Sequence, residues 1–333
     1  MLTTRFTQLV GCTVPIQQAG MGHEFANPRL AAAVANAGGL GMVSVYGHTP
    51  DEVAQFLDSA CEQTTGIIGA NFLHANDWVV GESVAAAASR VRVVDFFWGD
   101  PDVALIQIAH DGGALACWQV GSREEAIAAV DAGCDFIIAQ GIEAGGHVRG
   151  RIGLMALLDQ VLEAVDVPVL AAGGIGTGRA MAAALAAGAD GVRVGTRFVA
   201  AQETGAHPSY LKALIAAEAK DTIYTEAFSF NWPNAPHRVL RSCIEAAKTY
   251  QEGEVVGENV DPNTGKSRPV HRFECFTIHQ GVTGSIEAMP HWAGESVNGV
   301  KKVQPAAEIV SDLVDEAERL LQRWSGRSAL TTA

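Results

Sequence analysis

The run QGIEAGGHVRG (140–150) puts a histidine, His147, among glycines directly beyond an apolar segment. An imidazole so placed serves near neutral pH as base, acid or hydrogen-bond donor. The plainer alternative is a histidine on a surface loop. Two more glycine runs follow, AGGIGTG (172–178) and GTRF (195–198), each after an apolar stretch and each opening a helical pattern. Glycines let backbone N–H groups approach an anion, and a helix N-terminus favours negative charge. Two such loops after successive strands form the phosphate cradle of many barrel enzymes, while a lone loop of this kind is as often a tight turn. Gly174, Gly176 and Gly178 do not fit G-x-G-x-x-G, and their run follows a late strand, so no dinucleotide fingerprint is read here. Upstream, QQAGMGH (17–23) and Asn71, which ends IIGAN, put small and amide residues at strand ends. Amides suit a neutral heterocycle that needs donors and acceptors along its edge.

Other residues carry weaker signals. His271, Cys275 and His279 are four apart with Glu274 between them, the spacing of metal ligands on a helix. The stretch FECFTI alternates more like a strand and no second ligand cluster completes a site, so no metal is expected. Gly191, Arg193 and Gly195 share a strand face, which would turn Arg193 into a barrel. A buried guanidinium needs an anion, either a carboxylate or a cofactor phosphate. Arg149 and Arg151 would take a substrate phosphate or form a solvated pair of charges, and the second reading is favoured. Cys12, Cys117 and Cys134 sit in apolar contexts and read as small core residues. No G-x-S-x-G elbow is present.

The elements that must carry these residues alternate. Candidate strands are 15–18, 40–45, 67–71, 91–97, 115–120, 136–140, 169–172 and 191–194, apolar throughout, as strands buried on both faces are. Helical stretches lie between them. SREE at 122–125 reads as a capping box, and another helix starts near Thr177. AIAAVDAGCDFIIAQG and AMAAALAAGADGVRVGT echo one plan, with Gly133 and Gly188 at the left-handed position that ends a helix. Eight strands with helical crossovers predict a (β/α)8 barrel, with a doubly wound open sheet as the competitor.

At 333 residues the chain is long for one domain of ~150 residues, yet single barrels run past ~250. Alanine falls from 12 in residues 151–200 to two in 251–300, where DPNTG (261–265) signals a turn. Residues 205–285 therefore read as an inserted cap, helical at first and loop-rich later, with 1–204 and 286–325 forming the barrel. Residues 303–325 are amphipathic and read as a closing helix, and 326–333 as a frayed end. The net charge of −14 argues against nucleic-acid or acidic-membrane partners. Scattered cysteines and the lack of a long apolar run predict a reduced, cytoplasmic protein.

Taken in order, QGIEAGGH, AAGGIGTG and GTRF resemble the nitronate monooxygenase family (formerly 2-nitropropane dioxygenase). The resemblance extends from PIQQAGMG through ANAGGLGMVS and IGANF to HWAGE (291–295). It implies an FMN-dependent barrel acting on a small organic substrate with O2, with relatives that reduce quinones using NADH or reduce enoyl thioesters. By position it implies that Gly173, Gly174, Gly195 and Thr196 hold the FMN phosphate. Ala19, Gly20 and Met21 would lie along the isoalloxazine. Asn71, Gln119 and Gln140 would hydrogen-bond the ring and ribityl chain. Gly145 and Gly146 would let the loop approach the flavin, His147 would face the substrate as base or orienting group, and HWAG would cover the site. Many relatives carry Lys at the position of Gln119, an acid at that of Gln140 and a neutral residue at that of Arg193, which changes the charge beside the flavin. The expected activity is oxidation of alkyl nitronates. An NAD(P)H-dependent quinone or enoyl-thioester reductase and a non-catalytic flavin-binding barrel are the rivals. Homo-oligomerisation is compatible with the sequence, which does not fix it.

Overall fold

The computed structural model describes residues 2–74, 81–260 and 265–324. Eight parallel strands close into a barrel: Ile16–Gln18, Leu40–Ser44, Ile67–Leu73, Val93–Phe97, Leu115–Val120, Phe136–Gln140, Val169–Ala172 and Gly191–Val194. They are called the first to eighth barrel strands below. Closure is made between the first and the eighth, with Ile16 opposite Val192 and Gln18 opposite Val194. An open doubly wound sheet has no such pair, so the barrel is the correct choice of the two.

The strands are buried along almost their whole length because helices cover one face and the lumen the other. Outside, Val43, Val94, Phe96, Trp118, Ile137, Ala171 and Val192 pack against helical Leu30, Val84, Leu105, Leu157 and Met181. Inside, Leu40, Met42, Val93, Phe136, Ile138 and Leu170 fill the lower lumen. The helix Arg5–Val10 plugs that end, Phe6 meeting Phe136 edge-on at 5.4 Å. Thr4 caps this helix and Gly11, at φ 94°, ends it. Gly133 and Gly188 adopt φ 107° and 106°, the left-handed turn expected after their helices.

The capping box at Ser122 is only half formed. Ser122 accepts from the Glu125 N–H, but the Glu125 carboxylate turns to the Gly121 N–H and to Arg149 instead of returning to the cap. The helix Gly178–Ala186 begins at Thr177, whose hydroxyl accepts from the Ala180 N–H. The closing helix, Ala306–Trp324, buries Ile309, Val310, Leu313 and Ala317 against the barrel's helical layer. It lies so close to the start of Gly178–Ala186 that a Cβ on Gly178 would stand 2.5 Å from the Leu313 carbonyl.

Between residues 205 and 285 the chain forms the helices Pro208–Ala216 and Arg241–Ala247 and five short strands, joined by irregular loops. One three-stranded antiparallel sheet joins Thr222–Thr225, His237–Leu240 and Gly146–His147. The other joins Ser267–His271, Val255–Val260 and Val282–Gly284. These strands are only two to six residues long and the pairing of His147 with His237 is distant in sequence, so local patterning underreports them. Residues 261–264 of the DPNTG turn and residues 326–333 lie outside the described residues. A second apolar cluster holds Tyr210, Leu214, Val256, Val270 and Ile278 together with Ile286, Met289, Ala293 and Val297.

Candidate active site

The C-terminal ends of the barrel strands open into one cavity of about 360 Å3, within the ordinary range for small-molecule sites. Its floor is a polar layer that crosses the lumen. Arg193, on the eighth strand, reaches Asp95 on the fourth, with Nη1 donating to Oδ2 at 2.6 Å. Asn71, on the third strand, donates from Nδ2 to the same oxygen at 2.9 Å and accepts from the Ser44 hydroxyl at 3.0 Å. The Cys117 thiol donates to the other carboxylate oxygen at 3.6 Å. Burial raises the Asp95 pKa, and the guanidinium and amide pull against that rise. The carboxylate is thus the anion that a buried Arg193 demanded.

The rim above strands seven and eight is glycine. Gly173 and Gly174 take φ 105° and 68°, conformations open to glycine at low cost, just ahead of the helix Gly178–Ala186. After the eighth strand, Gly195 leads into the four-residue helix Thr196–Val199. Across the rim, Gly20 packs against the Asn71 side chain so closely that a Cβ would lie 1.9 Å from Oδ1. Gly145 and Gly294 press backbone to backbone: a Cβ on Gly145 would fall 2.3 Å from the Gly294 nitrogen. The Gly294 N–H also donates to the Thr196 hydroxyl at 3.0 Å. The HWAGE segment is thereby pinned to both the sixth-strand and eighth-strand loops.

His147 belongs to the edge strand Gly146–His147, paired with Arg238 and His237 of the cap. The surface-loop alternative therefore fails. Its carbonyl accepts from Gln140 Nε2 at 3.1 Å, and Val148 N–H bonds Pro236 O at 2.9 Å. The ring sits in an aromatic enclosure. Trp232, Trp292 and Trp98 have ring centroids 4.0, 5.3 and 5.7 Å away, and His237 lies at 5.5 Å. Cys275 Sγ is 3.8 Å from Nε2. Desolvation by these rings, with a smaller contribution from His237, pushes the His147 pKa well below its ordinary value. At neutral pH the imidazole is uncharged and able to accept a proton.

All thirteen residues assigned from the family resemblance to the cofactor or the substrate line this one cavity: Ala19, Gly20, Met21, Asn71, Gln119, Gln140, Gly145, Gly146, His147, Gly173, Gly174, Gly195 and Thr196. Arg193 lines it as well. Both ends of the Asn71 amide are engaged in the floor, which leaves Gln119, buried in the cavity wall, and the unpartnered Oε1 of Gln140 as the freer groups. Arg149 is committed to Glu125 at 2.9 Å and Asp100 at 2.6 Å, and Arg151 is exposed; neither lines the cavity. His271, Cys275 and His279 diverge, to Gly253 O, to His147 and to Asn259, the first and last by their ring nitrogens. Among the described residues no group of three or more His, Cys, Asp or Glu is arranged to hold a metal. Sequence reasoning missed Asp95, Trp232 and His237, whereas Trp292 belongs to the HWAG segment expected to cover the site. The lone acid inside VVDFF was the available signal for Asp95. The aromatic wall is drawn from three separate stretches, at Trp98, at Trp232 and His237, and at Trp292, and no spacing rule links them to His147.

The site fits a flavin on its own chemistry. The Gln140 Oε1 is a buried acceptor without a partner, as a ring N–H or ribityl hydroxyl would require. Gly173, Gly174 and Gly195 put backbone without side chains on the cavity's rim, which is compatible with an anion held by N–H groups.

A closed parallel barrel with glycine loops after strands seven and eight and an enclosed histidine at its mouth is the architecture of a barrel enzyme. The family profile described as nitronate monooxygenase matches residues 3–316, and the chain belongs to that family. It is a flavin-dependent oxidoreductase. A Rhodococcus jostii (3aS,4S,5R,7aS)-5-hydroxy-7a-methyl-1-oxo-octahydro-1H-indene-4-carboxyl-CoA dehydrogenase is 36% identical over 248 residues, 72% of this chain and 66% of that one. A Staphylococcus aureus probable nitronate monooxygenase is 27% identical, covering 96% of this chain and 98% of its own. Among solved structures, Thermotoga maritima FabK superposes with TM-score 0.82 at 29% identity, over 98% of this chain and 100% of that one. A nitroalkane oxidase from Streptomyces ansochromogenes superposes with TM-score 0.77 at 28% identity, over 96% and 100%. No helix among the described residues is long and apolar enough to cross a membrane.

Proposed function

We propose that the protein is an FMN-dependent nitronate monooxygenase that oxidises alkyl nitronates, with O2 as the second substrate. The observation that carries this reading is His147, an imidazole held neutral by its aromatic enclosure, directly over a glycine-rimmed cavity. Gly173, Gly174, Gly195 and Thr196 would hold the phosphate of FMN. Ala19, Gly20 and Met21 would lie along its ring, and Asn71, Gln119 and Gln140 would hydrogen-bond the ring and ribityl chain. Gly145 and Gly146 would let the chain approach closely. FMN supplies the electron acceptor when bound. The protein's part is positional. The indoles exclude water and hold the substrate, and His147 orients a nitronate by hydrogen bonding. A neutral nitroalkane would first give its α-carbon proton to a ring nitrogen of His147. We also propose that residues 205–285 act as a cap over a barrel made of 1–204 and 286–325, because residues from that stretch, Trp232 and Cys275 among them, supply the far wall of the cavity.

The 36% identity to a CoA-ester dehydrogenase favours a second reading, an NAD(P)H-dependent reductase of a quinone or enoyl thioester on the same scaffold. Anaerobic mixing of the protein with a nitronate, and separately with NADH and NADPH, separates the two. Bleaching of the flavin absorbance by the nitronate alone supports the monooxygenase. Fast bleaching by a nicotinamide, with none by nitronate, transfers the assignment to the reductase.

A further inference from the structure

Barrel lumens are ordinarily packed with branched apolar side chains. Here one layer of the lumen is charged, and it is the layer that meets the cavity. Arg193 and Asp95 come from the eighth and fourth strands, diametrically opposite in an eight-stranded barrel. The guanidinium therefore lies out over the lumen and not against its own rim, where the glycine cradle is. Both side chains are almost fully buried, 4% and 0% exposed. Asp95 spends its oxygens on Arg193, Asn71 and Cys117 and does not line the cavity. Arg193 does line it, and among the described residues its one hydrogen bond is to Asp95 through Nη1. Nη1 is thus committed, which leaves Nε and Nη2 as the uncommitted donors of a guanidinium that lines the cavity. The ion pair is oriented, with its positive end toward the cavity and its negative end fixed behind by two further donors.

We propose that Arg193, anchored across the barrel by Asp95, donates its cavity-facing N–H groups to the electron-rich edge of the flavin ring and so favours the reduced flavin. Two-electron reduction at neutral pH leaves negative charge on the ring. A fixed donor and positive charge at that edge stabilises the reduced form more than the oxidised one. The inference rests on flavin binding in this cavity and is independent of which substrate reduces it. Asp95 is then a positioning residue: it aims the guanidinium and partly offsets its charge.

The test is the midpoint potential of the bound flavin, measured by anaerobic equilibration with redox dyes. Arg193→Met should lower the preference for reduced flavin at least tenfold, about 30 mV for a two-electron couple. Arg193→Lys should restore most of it. Asp95→Asn keeps the arginine and removes the offsetting charge, so the potential should move the opposite way. A pair that only seals the lumen would not give shifts of opposite sign. An unchanged potential in flavin-loaded Arg193→Met overturns the proposal, as does a shift of the same sign in both variants. If Arg193→Met is isolated without flavin, binding of FMN and riboflavin to it decides. Equal losses for the two support a contact to the ring; a loss for FMN alone places Arg193 on the phosphate and overturns the proposal. If Arg193→Met fails to fold by circular dichroism, the Arg193→Lys and Asp95→Asn potentials carry the test. Absence of nitronate turnover with these shifts intact would remove the monooxygenase reading and leave this one standing.

Discussion

An imidazole walled by three indoles is a base for which water competes poorly. The proposed function asks two separable roles of His147, proton acceptor and hydrogen-bond partner, and two substrates tell them apart. His147→Asn should leave flavin bound, because the cradle and the amide contacts do not use the ring. Turnover of a neutral nitroalkane should fall by ~10²–10⁴, the usual contribution of a positioned base. Turnover of the preformed nitronate, which has already lost the proton, should fall less. Steady-state rates on both forms check this; equal losses would leave His147 an orienting group only. At this scale much of the site was legible. Period-two alternation turned Arg193 inward, and glycine density marked the rim. Asp95 was not legible, because a single acid in an apolar strand shows its role only when the opposite strand is known.

At the scale of elements, the strands announced themselves because burial on both faces leaves little choice of residue, and their helices ended on glycines with the predicted handedness. The Gly146–His147 strand did not, since its partner lies some 90 residues later and two residues carry no periodicity. The cradle after the seventh strand yields a prediction of its own. An aspartate at Gly174 would add negative charge on the rim proposed to receive the phosphate, with its Cβ 3.5 Å from that of Glu143, and φ 68° disfavours any side chain. Gly174→Asp should lower flavin affinity at least tenfold while the far-ultraviolet circular dichroism stays that of a folded barrel. Flavin content after gel filtration is the readout, and full occupancy would put the cradle elsewhere.

For the whole molecule, the barrel and the 205–285 stretch should differ in stability. The two small sheets to which that stretch contributes have three strands each and open edges, whereas the closed barrel has none. Hydrogen exchange should be faster across Val255–Val260 and Ser267–His271 than across the sixth to eighth barrel strands; uniform protection would count against a separate cap. Acid should weaken the protein through its buried histidines. His291, stacked on Tyr210 at 5.0 Å, is pushed down to about 4 chiefly by burial, and His147 and His237 are also lowered. In the unfolded chain each would titrate near 6.5. Between those values the unfolded state binds more protons, so stability is full above about pH 6.5 and is lost as pH falls toward 4. His291 alone would cost roughly 3 kcal/mol over that range. Denaturant midpoints from pH 7 to 4.5 should fall accordingly, with a shallower slope in His291→Phe.

The backbone contact between Gly145 and Gly294 has a consequence for how the protein is made. Gly294 follows Gly145 by 149 positions, and it also donates to Thr196. A ribosome adding ~5–20 residues per second needs roughly 7–30 s to travel between them. During that interval all eight barrel strands have left the peptidyl-transferase centre, yet the mouth lacks the segment that clamps two of its loops. A nascent chain arrested before residue 294 would carry a barrel with an unlatched rim. Retention of cofactor by the growing polypeptide should therefore begin late, only after the HWAGE segment clears the exit tunnel.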